Sequence, residues 1–480
     1  MNIAALDDSI LGRHTPDPLQ FAFTGKTQAH AGRGGRPILD PALQSLTLEA
    51  QLAGQPAAGR PRCLYLHIPF CRVRCTFCNF FENAASPAWI ETYLHHFYDE
   101  LARKADSAWA QAAPFDAVYV GGGTPTDLTA AQLQTLGEEI RRRFPLADDC
   151  ELTLEGRLNR FDDARFEASL TAGFNRFSFG VQSFDTRVRK AAKRLDDRGE
   201  VLQRIEQLVA RDAAPIILDL LFGLPWQDES CWQQDIADFL DSGAHGVDLY
   251  QLIQMPGTRL SELVAQGRQP VPANVPTRAR MYAYGANTLE QAGLQRLSVC
   301  HWARDARERS RYNSLAKTSA DVLPIGAGAG GQINGVALMQ TRNLQDYQQQ
   351  CGEGRWPLAM LMAPAQHGRR DGLIKASFDK GVLDGTVWAA QGQDGLFEQL
   401  RPLLNVWQER GLVDLADNRA ELTLAGRFWS VNMAQGALLA LQQEDHSKEN
   451  VDVTQRTGGG AHSAPRGSNH PSHGGATGRH

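Results

Sequence analysis

Three thiols share one short stretch of this chain. "YLHIPFCRVRCTFCNFF" sets Cys71, Cys75 and Cys78 at C-x3-C-x2-C spacing, in a sequence with eight cysteines in all. A disulfide is disfavoured in a reducing cytosol, and three thiols in one loop would leave one over. Zinc is the plain alternative, because His67 stands four residues before Cys71 and would complete a Cys3His set. Against it, the paired C-x2-C spacing of zinc modules occurs once, with no second pair elsewhere. An iron–sulfur cube takes thiolates on its irons, and three cysteines leave one iron open to an outside ligand. An open metal position suits catalysis better than storage.

Other polar or glycine-rich groups stand where chemistry is possible. "VGGGTPT" at 120–126 contains Gly122, Gly123 and Thr124, and glycines without Cβ let backbone N–H and C=O groups approach a small ligand. The run is not G-x-G-x-x-G, so the dinucleotide fingerprint is absent. Glu155, Gln182 and Asp219 follow in short apolar runs, and Arg194 comes soon after "GVQSF", within reach of a carboxylate. Each alone reads as a cap or an ion-pair partner. Together, beside a cysteine loop, they read as one mouth.

Something must hold these groups in one place. The runs "CLYLHIPF" (63–70), "AVYVGGG" (117–123), "ELTLEG" (151–156), "RFSFGVQS" (176–183), "IILDLLFG" (216–223) and "GVDLYQLI" (246–253) alternate with segments of helical period such as "GEVLQRIEQLVARD". Strand and helix repeated six times predict βαβ units around a parallel sheet, here a partial (β/α)6 barrel. In such sheets ligands lie beyond the carboxyl ends of the strands, and the polar groups named above cluster at those ends.

Composition sets outer bounds. The chain has 480 residues, 42% hydrophobic and 21% charged, enough to bury a large core over two or three domains. A formal net charge of −5 lacks the basic excess of a nucleic-acid binder. No apolar run is long enough to span a bilayer, and "MNIAALDDSILGRHTPD" lacks the pattern of an export signal, so a cytoplasmic protein without membrane insertion is expected.

"YLHIPF" before C-x3-C-x2-C, then "GGGTPT", "FSFGVQSF" and "DLLFGLP" in that order, resembles the radical S-adenosylmethionine (SAM) enzymes related to oxygen-independent coproporphyrinogen III oxidase. The resemblance covers about residues 60 to 430. It implies a [4Fe-4S] cluster on Cys71, Cys75 and Cys78, and SAM held by Tyr65, Phe77, Gly122, Gly123, Thr124, Glu155, Gln182, Arg194 and Asp219. It implies a C-terminal winged-helix-like α+β cap over the substrate, and a flavodoxin- or ferredoxin-like electron donor.

Departures point to one branch. The oxidases carry a further cysteine two residues after the third, where this chain has Phe80, and their third strand differs from "LTLEGR". "DPLQFAFTGKTQAHAGRGGRPI" (17–38) and "HWARDARERSRYNS" (301–314) are instead similar to the anaerobic haem-degradation branch (ChuW/HutW), implying a methyltransferase that opens haem without oxygen. A haem chaperone or a coproporphyrinogen III dehydrogenase is the alternative. Haem bears two propionates, which the Arg-rich 301–314 could hold bidentately, with His301 as a candidate iron ligand. The plain alternatives are a solvated face and a structural histidine.

Around the barrel, 61–345 with its extension, residues 1–60 read as an arm, rich in Gly, Pro and Ala. The run 322–341 is expected to add strands beside the cofactor, with Gly326 and Gly328 close to it, and 346–442 to form the cap, with a hairpin turn at Asp417–Asn418. Residues 443–480, rich in Gly, Ser and His, are expected to be disordered.

Overall fold

Strands buried on both faces need apolar side chains on both, which is why the six runs read as continuous rather than alternating. They form β1 (Arg62–Ile68), β2 (Phe115–Gly122), β3 (Leu146–Gly156), β4 (Arg176–Gln182), β5 (Ile216–Phe222) and β6 (Gly246–Gln251). Each pairs parallel with the next in chain order. The computed structural model describes residues 1–26, 35–78, 83–254, 257–318 and 320–457. Phe80, most of the glycine-rich part of 17–38 and residues 458–480 lie outside the described residues.

Helices α1 (Pro87–Ala105), α2 (Ala130–Arg143), α3 (Asp163–Thr171), α4 (Arg198–Ala210), α5 (Glu229–Asp241) and α6 (Val275–Gln291) follow the six strands in turn. Their starts are written locally. Thr129 with Gln132 and Asp197 with Glu200 form capping boxes, and Asp162, Asp228 and Asn274 accept from backbone N–H groups of the first turns. Leu64, Leu66, Val118, Val120, Phe177 and Leu218 are fully buried in the main apolar core.

The alternate side chains face inward, and the sheet curls around them: Tyr119 of β2 feels the charges of Glu155 on β3 and Asp219 on β5. The barrel is open. Beyond β6 the sheet continues through β7 (His301–Ala303), antiparallel to it, and ends at Gln295–Arg296. On the other side β8 (Asp321–Ile325) pairs parallel with β1, followed by β9 (Gly330–Ile333), β10 (Val336–Gln340), β11 (Leu358–Met362) and Pro37–Ile38, thirteen strands among the described residues. The strands expected from 322–341 are therefore present.

The C-terminal region carries helices Gly368–Lys380, Leu396–Glu409 and Ser430–Thr457 with a three-stranded antiparallel sheet. In that sheet β12 (Val382–Asp384) and β13 (Val413–Leu415) flank β14 (Arg419–Leu422), and Ala416 N–H donates to Arg419 O at 2.8 Å around the turn at Asp417–Asn418. The N-terminal residues lie against this region rather than running extended. The Trp407 and Trp429 indoles donate to the Ile10 and Leu19 carbonyls at 3.2 and 3.0 Å, and Lys26 Nζ lies 4.7 Å above the Phe428 ring. Pro41–Ala53 is a helix capped by Asp40.

Candidate functional site: the cysteine loop and barrel mouth

The cysteine loop leaves β1 at its carboxyl end. Phe70–Cys71 pairs with Asn83–Ala84, Cys78 N–H donates to Cys75 O at 3.2 Å, and Thr76 N–H donates to Ala192 O at 3.3 Å. Cys71 and Cys75 are buried and Cys78 is half-buried. The loop rests on the turn after β2, where Gly123 N–H donates to Ile68 O at 2.8 Å. A Cβ on Gly123 would stand 2.4 Å from the Phe70 carbonyl oxygen. Only glycine lets the two backbones meet so closely. Thr124, next in the turn, places its hydroxyl 3.3 Å from Cys71 Sγ. Burial pushes the Cys71 thiol up, and this hydrogen bond opposes the shift.

Arg194 brings positive charge to the loop. It lies within electrostatic reach of Cys75, Cys71 and Cys78, and its Nε is buried with no partner in the protein. Burial holds its pKa down, while the three sulfurs counter that effect. Gln182 sits at a bulge in β4 with φ 74°, a conformation that costs a non-glycine residue energy and tends to occur where geometry serves function. A Cβ on Gly180 would lie 2.7 Å from Gln182 Nε2 and 3.4 Å from Arg194 Nη2, so these three residues converge. Phe77 packs with Val188 and Leu221, and its ring centre is 5.9 Å from the Arg194 guanidinium.

Deeper in the mouth are the carboxylates. Burial lifts Glu155 to about 7, while hydrogen bonds from the Tyr119 hydroxyl and the Gly122 N–H hold it from going higher. Asp219 is raised well above the usual carboxylate range, by burial first and then by the charges of Asp248 and Glu155, and it accepts from the Ser178 hydroxyl at 3.2 Å. Tyr65 points at His67 Nδ1, 2.8 Å away, and stacks with Tyr119. Burial lowers His67 to about 4, so the ring is neutral and shares a hydrogen bond with the Tyr65 hydroxyl. Tyr119 was not singled out from the sequence. Its register partner is Tyr65, and period-two counting back from Gly121 would have placed it on the inner face.

The Arg-rich segment 301–314 lies at the opposite end, where the strands begin. Arg311 pairs with Asp149 and Asp116, Arg309 with Asp149, and Arg307 with Asp212 and Asp305. Glu308 is buried against Arg176, at 2.9 Å, the first residue of β4. His301 lies between Asp248 at 2.8 Å and Glu308 at 3.0 Å. Both ring nitrogens are engaged, and these carboxylates raise the imidazole to about 9 against the cost of burial. The propionate and iron-ligand readings therefore give way to a structural one: this segment closes the floor of the barrel with ion pairs.

A family model described as the radical SAM superfamily matches residues 65–239. The chain is also 40% identical over 406 residues to an anaerobilin synthase from Escherichia coli O157:H7, covering 84% of this chain and 89% of that one. The chain belongs to the radical SAM superfamily. A haem chaperone, HemW, from Bacillus subtilis is 28% identical over 380 residues, 78% of this chain and 98% of its own. The solved coproporphyrinogen III oxidase HemN from Escherichia coli superposes with a TM-score of 0.71 at 21% identity, over 84% of this chain and 96% of that one, and so shares the fold.

Radical SAM proteins use a [4Fe-4S] cluster and SAM, and the mouth of this radical SAM barrel fits both. A tetrahedral zinc with bonds of about 2.3 Å would draw its sulfurs to roughly 3.8 Å of one another. Among the described residues, three candidate ligand atoms lie within 4.8 Å of one another only at His95, His96 and Asp99 on α1. The three thiols do not form such a set. His67, turned towards Tyr65, does not complete a zinc set. For SAM, the mouth offers the unpartnered Arg194 Nε, two carboxylates and a turn of glycines. No helix among the described residues is long and apolar enough to cross a membrane.

Proposed function

We propose that this chain opens the haem macrocycle without oxygen, passing a methyl group from SAM to the tetrapyrrole so that iron is released. One observation carries the reading: 40% identity to an anaerobilin synthase spread over 84% of the chain. The cluster and SAM together would supply one-electron chemistry at carbon. Cys71, Cys75 and Cys78 hold the cluster. Thr124 shares a hydrogen bond with the Cys71 sulfur, and Arg194 sets positive charge within reach of the three sulfurs; both would tune the potential of a cluster held there. SAM lies against Tyr65, Phe77, Gly122, Gly123, Thr124, Glu155, Gln182, Arg194 and Asp219. Glu155, poised near neutrality, ionises when a ligand donor replaces lost water. Asp219 keeps its proton at neutral pH and so can donate as well as accept. The electron comes from a flavodoxin- or ferredoxin-like carrier in the cytoplasm, and the C-terminal region and N-terminal arm exclude water from the mouth.

The test is anaerobic incubation of the reconstituted protein with haem, methyl-labelled SAM and a reductant. The Soret band should fall, and mass spectrometry should find the label on an opened tetrapyrrole. Haem that survives unmodified, and passes intact to an acceptor, would replace this reading with a chaperone's.

A further inference from the structure

Two half-buried cations, Lys26 and Arg278, stand together at the end of the barrel from which the cysteine loop leaves. Arg278, on α6, donates through Nη1 to Leu252 O at 2.7 Å, just past β6, and its stem packs on Gly223, just past β5. Lys26 is brought there by the C-terminal helix, where Asn432 Nδ2 donates to Gly25 O at 3.0 Å. The ammonium lies 4.7 Å above the Phe428 ring and within electrostatic reach of Arg278 and Cys300.

No acid among the described residues answers this pair. Burial first, and then the Arg278 charge, bring the Lys26 ammonium down to about 8, and no carboxylate lies near enough to raise either cation. Cys300 alone favours the ammonium, and burial pushes that thiol up to about 12, so it is neutral. Residues 27–34 contain no Asp or Glu. Lys317, which also reaches Cys300, is different, because Asp379 pairs with it at 2.8 Å. An aromatic face does not replace the water lost from an ammonium, and Arg278, the fourth residue of α6, gains nothing from the helix dipole. Two neighbouring like charges without a counter-charge call for an anion from outside.

The wall beside them is aromatic. Tyr250 shares a face of β6 with Asp248, two residues before it, and has Asp248, Cys300, Asp219 and Tyr119 within electrostatic reach, yet it is 40% exposed. The surface it shows therefore faces the space inside the mouth.

We propose that Lys26 and Arg278 form a carboxylate pocket that holds a propionate of the tetrapyrrole, with the Tyr250 ring along the face of the macrocycle. This pocket presupposes haem as the substrate and adds the side chains that take its charged edge, a role that the arginines of 301–314, paired on the barrel floor, do not fill. The ammonium offers three N–H donors and the guanidinium those left beyond its backbone carbonyls, and both bond a carboxylate with charge assistance. SAM also carries a carboxylate, and esterifying only the haem propionates separates the two sources.

The experiment titrates the full chain with its cluster, anaerobically and without reductant, with haem and with haem dimethyl ester, whose ring is the same and whose propionates are uncharged. The Soret shift reads binding, and calorimetry follows SAM separately. The native chain should bind haem about tenfold or more tightly than the ester. Lys26→Met should cost about tenfold in haem affinity while leaving the ester and SAM nearly unchanged, and Lys26→Arg should restore most of the loss. Equal native affinity for haem and ester would overturn the proposal, as would an equal loss of both in Lys26→Met, or a loss confined to SAM. Haem that binds with this preference but is never opened would leave the pocket standing and sink the ring-opening reading. Ring opening by a chain that treats haem and ester alike would do the reverse.

Discussion

Glu155→Gln separates a group kept for a ligand from one kept for the fold. In the folded chain burial lifts this carboxyl from 4.5 to about 7. The folded state therefore holds a proton that the unfolded chain releases, and its stability falls as pH rises between those two values. Each pH unit across that window is worth about 1.4 kcal/mol, so between pH 4.5 and 7 the native chain loses about 3 kcal/mol through this group. Glutamine cannot ionise. The stability difference between variant and native protein should shift by that amount in the variant's favour as pH rises from 5 to 8, whatever the neutral hydrogen bonds contribute. Urea unfolding of the two proteins side by side at several pH values measures this, because all other titrations cancel in the difference. SAM should do the reverse: it should raise the melting temperature of the native protein and leave the variant nearly unmoved. A pH-independent difference, or equal stabilisation by SAM, would refute the reasoning.

Three further outcomes follow from other parts of the structure. Replacing any of Cys71, Cys75 or Cys78 with Ala should remove iron, sulfide and the brown colour of anaerobically prepared protein; metal analysis that instead found one bound zinc and no sulfide would contradict the cluster assignment. Gly123→Ala puts a methyl group 2.4 Å from the Phe70 carbonyl, so it should cost about 1–3 kcal/mol on unfolding and lower cluster occupancy by shifting the loop. Glu308→Gln strips the buried Arg176 and His301 of their shared carboxylate. It should destabilise the barrel by about 3–5 kcal/mol, read by denaturant midpoint, and a cost below 1 kcal/mol would mean the floor is held by something else.

Much of the barrel was legible because parallel strands leave a plain trace. Leu64, Leu66 and Ile68 must be apolar to lie under helices, and the observed strands fall on the six runs within a few residues. Glu155, Gln182 and Asp219 could be found because they interrupt such runs at positions where burial alone would not put them. Tyr119 escaped notice because a tyrosine in a strand is ordinary, and its hydrogen bond to Glu155 exists only once the sheet curls. The arginines of 301–314 misled for a related reason. Charge on a sequence does not show its partner, and Asp116, Asp149 and Asp212 lie far away along the chain. The helix Pro41–Ala53 was hidden by the glycines and prolines around it.

The N-terminus has an unusual timetable. Ile10, Leu19 and Gly25 are held by Trp407, Trp429 and Asn432, so residues made early in synthesis bind partners made about 400 residues later. At roughly 5–20 residues per second, the first helices wait about 20–80 s for those partners to be made. The six barrel strands and the cysteine loop are complete well before then. For that interval residues 10–25 lack the tryptophans and the asparagine that hold them, while the strands that carry the cysteine loop have already been made and can pair.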